Sequence, residues 1–466
     1  MATRIIPGTS ISVLDEGLIT TQAGGYGVLG LIGTAKNGPD GPYGISKYSE
    51  ALDLYGDDGT GYTILKALKK FFDNGGTFVY VVRIGSTKAD IDLDTSGVTP
   101  VASVVTVTAI YGGTWGDDID LVVAAQGTGI KMTVTYGTTS ETYDNSGATN
   151  GYTDNKTLVD DINNNSALIT AEVNDSTGSL IDAGSFDVGT DTAGVDGESS
   201  LPGVYSAALI EFDNTEINFL LCAEQSDATL FASMSAQCTT WEASSSNPKQ
   251  VISIGGSEWG ESIATIVGRT THSSRFIFSC PGGVVADLMT GAPVNASGAS
   301  IAASVVGLLC SKKIHQSATY AIINGVTELE TNYSDANLQS LINDNRLALF
   351  VKETDNTIRV AKAITTSTNS AWSQITTRRI VDYAMTGTYD TGDQFIGRLN
   401  NARVRGALKG VLDSFLQSMF ADEALTSYES EVYATRADEI AGVCKVKLTL
   451  QPTFSIDYIE VTMYLG

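Results

Sequence analysis

What most constrains the fold is a strand, helix, strand succession near the front of the chain. Val28-Leu-Gly-Leu-Ile32 is a short apolar run bounded by glycines, and Thr77 to Ile84 (TFVYVVRI) is a second, nearly continuous one. Between them, Thr60 to Asn74 places Ile64, Leu65, Leu68, Phe71 and Phe72 on one helical face and Lys66, Lys69, Lys70 and Asp73 elsewhere, with Gly75-Gly76 as a stop. Continuous apolar strands joined by a helix predict a crossover unit in a sheet covered on both faces.

At 466 residues the chain exceeds what one core usually holds, so two or three domains are expected. From about Ser86 to Ser200 the character changes to Thr, Gly, Asp and Asn. β-Branched alternation over Val101 to Ile110, Ile119 to Ala124 and Lys131 to Tyr136 predicts an inserted β-rich domain. The small polar tract Asn174 to Ser200 reads as a long surface loop. Strand-like and helix-like segments alternate again from Ile217 to Val351, with a small-residue helix, Ser297 to Leu309, suited to close packing. A long helix is predicted from Asp393 to Phe420, and two alternating strands close the chain, around Cys444 to Leu450 and Ile459 to Leu465. The fold class read from this pattern is multidomain α/β (α+β): a central mixed sheet flanked by helices, built from both chain ends, with an inserted β-rich outer domain. The boundaries are 1–20 for an N-terminal arm, 21–85 and 201–442 for the two parts of the α/β domain, 86–200 for the insertion and 443–466 for C-terminal strands.

Chemistry-bearing patterns are sparse. Gly25-Tyr-Gly27-Val-Leu-Gly30 fits GxGxxG, yet the apolar run begins inside it and continues as strand, where a dinucleotide needs a helix N-terminus. There is no GxxxxGK[ST], GxSxG or HExxH, and His272 and His315 are the only imidazoles. No catalytic, cofactor or metal residue is assigned, and no cofactor is expected. Cys222, Cys238, Cys280, Cys310 and Cys444 are widely spaced and read as reduced, buried thiols. A formal charge of −25, from 53 acidic and 28 basic residues, argues against direct nucleic-acid binding. The first residues lack a signal-peptide pattern and no run of about 18 apolar residues occurs, so the expectation is cytosolic synthesis without membrane insertion. Against this acidic background, Arg398, Arg405 and Lys409 fall at i, i+7 and i+11, one stripe of the predicted helix. That stripe suits either an acidic partner or a solvated edge.

Several segments together resemble the sheath proteins of contractile phage-type tails. Gly30-Leu-Ile-Gly-Thr-Ala-Lys-Asn-Gly-Pro39, Ile45-Ser-Lys-Tyr-Ser-Glu-Ala-Leu-Asp-Leu-Tyr-Gly56 and Phe71-Phe-Asp-Asn-Gly-Gly-Thr-Phe-Val-Tyr-Val-Val-Arg83 are similar to that family's opening in order and spacing. Tyr111-Gly-Gly-Thr-Trp-Gly-Asp-Asp-Ile119, Arg359 to Thr366 and Ala371 to Tyr383 are similar to later segments, and the likeness fades between about Glu141 and Ser200. The resemblance implies a non-enzymatic subunit that stacks with copies of itself as rings around an inner tail tube, with baseplate and tail terminator proteins at the ends. The location would be a virion tail, reached from the bacterial host cytoplasm, and contraction would drive the tube through the host envelope for genome delivery. It also implies strand donation between subunits, for which Ile11, Ser12, Val13 and Leu14 in the arm and Ile459, Val461, Met463 and Leu465 at the end are suited. Arg398, Arg405 and Lys409 then become candidates for facing the tube. A headless bacteriocin or injection-system sheath is the nearest alternative, and a hydrolase or an adhesin are distant ones.

Overall fold

The computed structural model describes residues 27–56, 61–94, 103–174, 180–197, 201–244 and 248–465. The opening unit forms as expected: β1 (Val28–Gly33), a short β2 (Tyr43–Ile45), α1 (Tyr48–Tyr55), α2 (Ile64–Asp73) and β3 (Phe78–Arg83). Ile64, Leu65, Leu68 and Phe71 of α2 are buried, and the Gly76 N–H closes the helix by donating to the Phe71 carbonyl at 3.0 Å. β1 and β3 pair in parallel, from Val28 opposite Phe78 to Gly33 opposite Arg83.

Next come β4 (Asp90–Asp94), β5 (Ser103–Ala109), β6 (Asp120–Gln126), β7 (Gly129–Tyr136), β8 (Thr139–Tyr143), α3 (Asn155–Asn165), β9 (Ile169–Val173) and β10 (Gly184–Asp187). They form two antiparallel sheets, β4-β5-β9 and β10-β6-β7-β8. Period-two alternation points Val105, Val107, Leu121, Val123, Met132 and Val134 into a core shared with Leu158 and Ile162 of α3. The expected loop over Asn174 to Ser200 is corrected in its described part. β10 lies within it and pairs with β6, and Val195 bridges to Thr87. A four-residue strand in a polar context is too short to show periodicity.

The α/β core resumes with α4 (Pro202–Ala208), β11 (Phe219–Cys222), α5 (Ala228–Glu242), β12 (Ile252–Gly256), α6 (Ile263–Val267) and β13 (Phe276–Cys280). It continues through β14 (Gly283–Ala286), β15 (Pro293–Ala296), α7 (Gly298–Ser311), β16 (Val326–Leu329), α8 (Asp335–Asn343), β17 (Leu347–Lys352) and β18 (Thr357–Val360). The main sheet has the order β18-β17-β13-β12-β11-β1-β3-β2. Its six inner strands are parallel and its two edge strands antiparallel, which makes it a mixed sheet. Both faces are buried: Leu29, Leu31, Phe219 and Leu221 join one cluster, Ile32, Leu220 and Cys222 the other. Helix α7 packs as closely as its small residues allow, since a Cβ on Gly307 would lie 2.3 Å from the Phe71 carbonyl oxygen of α2.

The chain forms two compact units, residues 25–379 with 454–466 and, separately, residues 380–453. α9 (Ile375–Asp393) runs across the boundary in sequence, and the second unit continues with α10 (Ala402–Ala421), β19 (Leu425–Tyr433), α11 (Arg436–Ile440) and β20 (Lys445–Pro452). The single helix expected over Asp393 to Phe420 is therefore corrected to a break followed by α10. Gly397 adopts φ +81°, and Asn401 caps the new helix by accepting from the Val404 N–H at 3.0 Å. Within this unit α9 meets α10 through Tyr383 and Phe415, ring centroids 5.7 Å apart, and β19 pairs antiparallel with β20.

Candidate assembly surfaces

Ile459, Val461, Met463 and Leu465 are exposed by 82%, 72%, 83% and 101%, as are Tyr458 and Tyr464 between them. The strand expected here does not form: residues 453–465 carry no strand assignment, because no other segment of the chain pairs with them among the described residues. The apolar alternation is present in the sequence, but an alternating pattern forms a strand only where a second strand pairs with it. The other strand-donation candidates, Ile11, Ser12, Val13 and Leu14, lie outside the described residues.

A two-stranded sheet with open edges is also present. β19 and β20 pair from Leu425 opposite Pro452 to Tyr433 opposite Lys445, and among the described residues neither has a second neighbour. α10 covers one side, where Lys409 Nζ donates to Ser430 Oγ at 2.8 Å and the Tyr428 hydroxyl to Gln417 Oε1 at 2.9 Å. A two-stranded sheet with long open edges is marginal alone and is a template for a further strand.

The expected basic stripe is corrected. Arg398 precedes α10, in the turn that also exposes Ile396 and Leu399, and its guanidinium lies 4.8 Å from the Phe395 ring. Arg405 and Lys409 are on the helix but have intramolecular partners. Arg405 Nη1 contacts Glu439 at 3.0 Å and Asn400 Oδ1 at 2.9 Å, and Lys409 contacts Asp413 at 2.9 Å. A helical wheel assumes an unbroken helix and says nothing of acids contributed by α11.

Elsewhere the described residues offer little chemistry. No group of three His, Cys, Asp or Glu side chains able to hold a metal occurs among the described residues, and no described helix is long and apolar enough to cross a membrane. Gly27 and Gly30 of the GxGxxG match lead into and lie within β1, with no helix start for a pyrophosphate. A cleft of about 910 Å3 lies among α1, α2, the β14–β15 turn and the start of α7. On its floor Lys70 Nζ donates to Ser300 Oγ at 2.7 Å, and Ser300 Oγ donates to Glu224 at 2.9 Å. Burial lowers the Lys70 pKa to about 8 although Glu224 opposes the shift. The hydroxyl thus bridges an ammonium and a carboxylate, a neutral link in a short polar chain. Cys222, Cys238 and Cys280 are buried as expected, whereas Cys310 is partly buried and Cys444 exposed. Cys444 directly precedes β20, whose outer edge is open among the described residues, so its thiol is exposed and not buried as expected.

Comparisons with known proteins bear on the fold. Residues 367–466 match the family model of the phage tail sheath C-terminal domain. No curated protein matches the chain by sequence. Among solved structures, the sheath tail protein of Listeria innocua is similar at 15% identity, over 93% of this chain and 94% of that one, with a TM-score of 0.68. The contracted sheath of the PVC extracellular contractile injection system matches at 11% identity over 100% and 98%, with a TM-score of 0.62. The contracted helical sheath of the anti-feeding prophage matches at 13% identity over 99% of each chain, with a TM-score of 0.59.

Proposed function

We propose that this chain is a contractile tail sheath protein, as the match of residues 367–466 to the sheath C-terminal domain and the shared fold support, and that its copies polymerise around an inner tube by exchanging β-strands and shorten as a lattice to drive the tube forward. The role is structural and non-catalytic. The observation that carries it is that one chain has both an alternating apolar segment, exposed from Ile459 to Leu465, and a two-stranded sheet open at both edges among the described residues. Residues 459–465 of one copy, and the arm around Ile11 to Leu14, would extend the β19–β20 sheet of its neighbours.

Magnitudes favour a lattice over a dimer. Burying Ile459, Val461, Met463 and Leu465 is worth ~1.5–3 kcal/mol each, about 6–12 kcal/mol in all. Fixing seven backbone residues costs about 7–14 kcal/mol. One donated strand is thus near break-even before its backbone hydrogen bonds are counted. Many strands acting together, with the first contact raising the effective concentration for the next, give a stable fabric. Because main-chain bonds hold the subunits, the bodies can rotate without separating. The stored energy is then the difference in buried surface between extended and contracted lattices, released from one end by a baseplate.

Residues 86–200 are proposed as the outer domain of the lattice. Arg398, which has no carboxylate partner among the described residues, keeps the proposed tube-facing role, while Arg405 and Lys409 are held by Glu439 and Asp413. Tube, baseplate and terminator proteins are the implied partners, within a particle assembled in a bacterial cytoplasm. Whether the particle carries a genome is decided by neighbouring capsid and terminase genes, whose absence would mark a headless injection device.

Negative-stain microscopy of the purified protein tests the reading. At high concentration it is expected to form hollow cylinders or rods. Deleting Ile456 to Gly466 is expected to leave a monomer with an unchanged melting temperature that no longer polymerises. Full-length sheaths from the truncated chain would rule out donation by this end.

A further inference from the structure

Resting on the strand-donation reading, we infer that Asp457 anchors the C-terminal segment to its own subunit and so sets where, and in which direction, the donated strand departs. Beyond Thr453 the chain does not hang free at once. Ser455 and Asp457 are partly buried while Phe454, Ile456 and Tyr458 face outward, and from Ile459 every described residue is exposed. The change occurs at one carboxylate.

Asp457 Oδ2 accepts from Gln374 Nε2 at 3.1 Å and lies 3.3 Å from Lys362 Nζ. Its Oδ1 accepts from the Thr319 hydroxyl at 3.4 Å and from the Ser455 hydroxyl at 3.3 Å. Gln374 completes the grip by accepting the Ser455 N–H on Oε1 at 3.2 Å, and Lys362 Nζ lies 5.2 Å from the Tyr458 ring centroid. Its side chain only 10% exposed, Asp457 is held by groups that are themselves fixed. Thr319 Oγ1 accepts the Ala363 N–H, and Gln374 is bridged to Ile364. Four donors on one carboxylate exceed what a tail resting on a surface requires.

The anchor shortens the free segment. Without it everything after Thr453 is a flexible tether, and with it only the residues after Tyr458 must be ordered when a neighbour is engaged. A shorter, directed tether raises the effective concentration of the strand at its acceptor and restricts the registers it can sample. Asp457 is thus a positioning residue that acts through residues 459–465.

Asp457→Ala and Lys362→Gln are compared with wild type and with the chain lacking Ile456 to Gly466, by hydrogen exchange of the monomer and by critical concentration for polymerisation. Expected for Asp457→Ala are an unchanged melting temperature, exchange at Ser455 rising to that of residues 459–465, and a critical concentration higher by about tenfold. Lys362→Gln is expected to act in the same direction, the double variant to add little, and the exchanged pair Lys362→Asp with Asp457→Lys to recover part of the loss. If Asp457→Ala polymerises at the wild-type concentration while the truncated chain does not polymerise, the anchor is wrong and strand donation stands. If the truncated chain polymerises normally, donation fails and the anchor's role falls with it.

Discussion

Glu242 ends α5 with its carboxylate between two guanidiniums, Arg275 Nε at 2.7 Å and Arg378 Nη2 at 3.1 Å. Arg275 also donates to the Val251 carbonyl at 3.0 Å and to Gln250 Oε1, so one acid gathers the end of α5, the chain entering β12, the start of β13 and α9. The hydrogen bond from Arg275 comes first among the causes that hold the Glu242 carboxyl below its ordinary range, with the charges of both arginines adding and burial opposing. Glu242→Gln keeps the shape and removes the charge, leaving Arg275 buried with weaker partners, for an expected loss of about 2 kcal/mol at neutral pH. The sign with pH follows from the depressed pKa: the contribution is complete above the unfolded value and lost as pH falls through the folded one. Urea midpoints of wild type and variant should therefore differ at pH 7 and converge as the carboxyl protonates in acid. An unchanged gap at pH 3 would mean that the loss is packing and not charge.

At the scale of elements, what could be read in advance follows from whether the deciding partner was local. α2 was legible because Ile64, Leu65, Leu68 and Phe71 recur on one face and Gly75-Gly76 follow at once; the observed Ile64–Asp73 lies inside the expected span. Three strands of residues 86–200, β5, β6 and β7, were legible from period-two alternation, whereas the shorter β4, β8, β9 and β10 were not. The break before α10 was available in principle, since Gly397 and then Asn401 give a stop and a cap, but the spaced cations drew attention to a longer helix. α9 was missed because its Thr- and Gly-rich second half, TGTYDTGD, has weak helix propensity and is held by packing, as where Gly387 admits the Phe415 ring. Of the candidate site, the alternation of residues 459–465 was readable, whereas Thr319, Lys362 and Gln374 lie too far along the sequence for any pattern to link them with Asp457. The Asn401 cap carries its own test. Asn401→Ala removes the acceptor of the Val404 N–H and should cost about 1 kcal/mol, seen as a lower urea midpoint, while Asn401→Ser or Asn401→Asp should retain most of it. Equal loss in all three would assign the effect to something other than the cap.

For the whole molecule the unusual quantity is where the charge lies. Residues 86–200 carry 18 acidic and 3 basic side chains, a net −15 of the chain's −25, whereas residues 380–453 carry 10 acidic and 7 basic, a net −3. The proposed polymerisation would bring many copies of the strongly acidic region close together, and like charges self-repel over roughly a Debye length, ~10 Å at 0.1 M salt and ~3 Å at 1 M. The proposed joints are built differently: apolar side chains and backbone hydrogen bonds, neither of which salt weakens in the way it weakens an ion pair. Repulsion is therefore the term that salt should remove and strand exchange the term it should leave. Raising NaCl from about 0.1 M to about 1 M is expected to lower the critical concentration for sheath formation severalfold. Light scattering over a dilution series would measure this, with microscopy checking that the same cylinders form. A lattice held chiefly by ion pairs between copies would behave oppositely, dissolving as salt rises. That outcome would move the main contacts from the apolar residues 459–465 to the charged surface of the subunits.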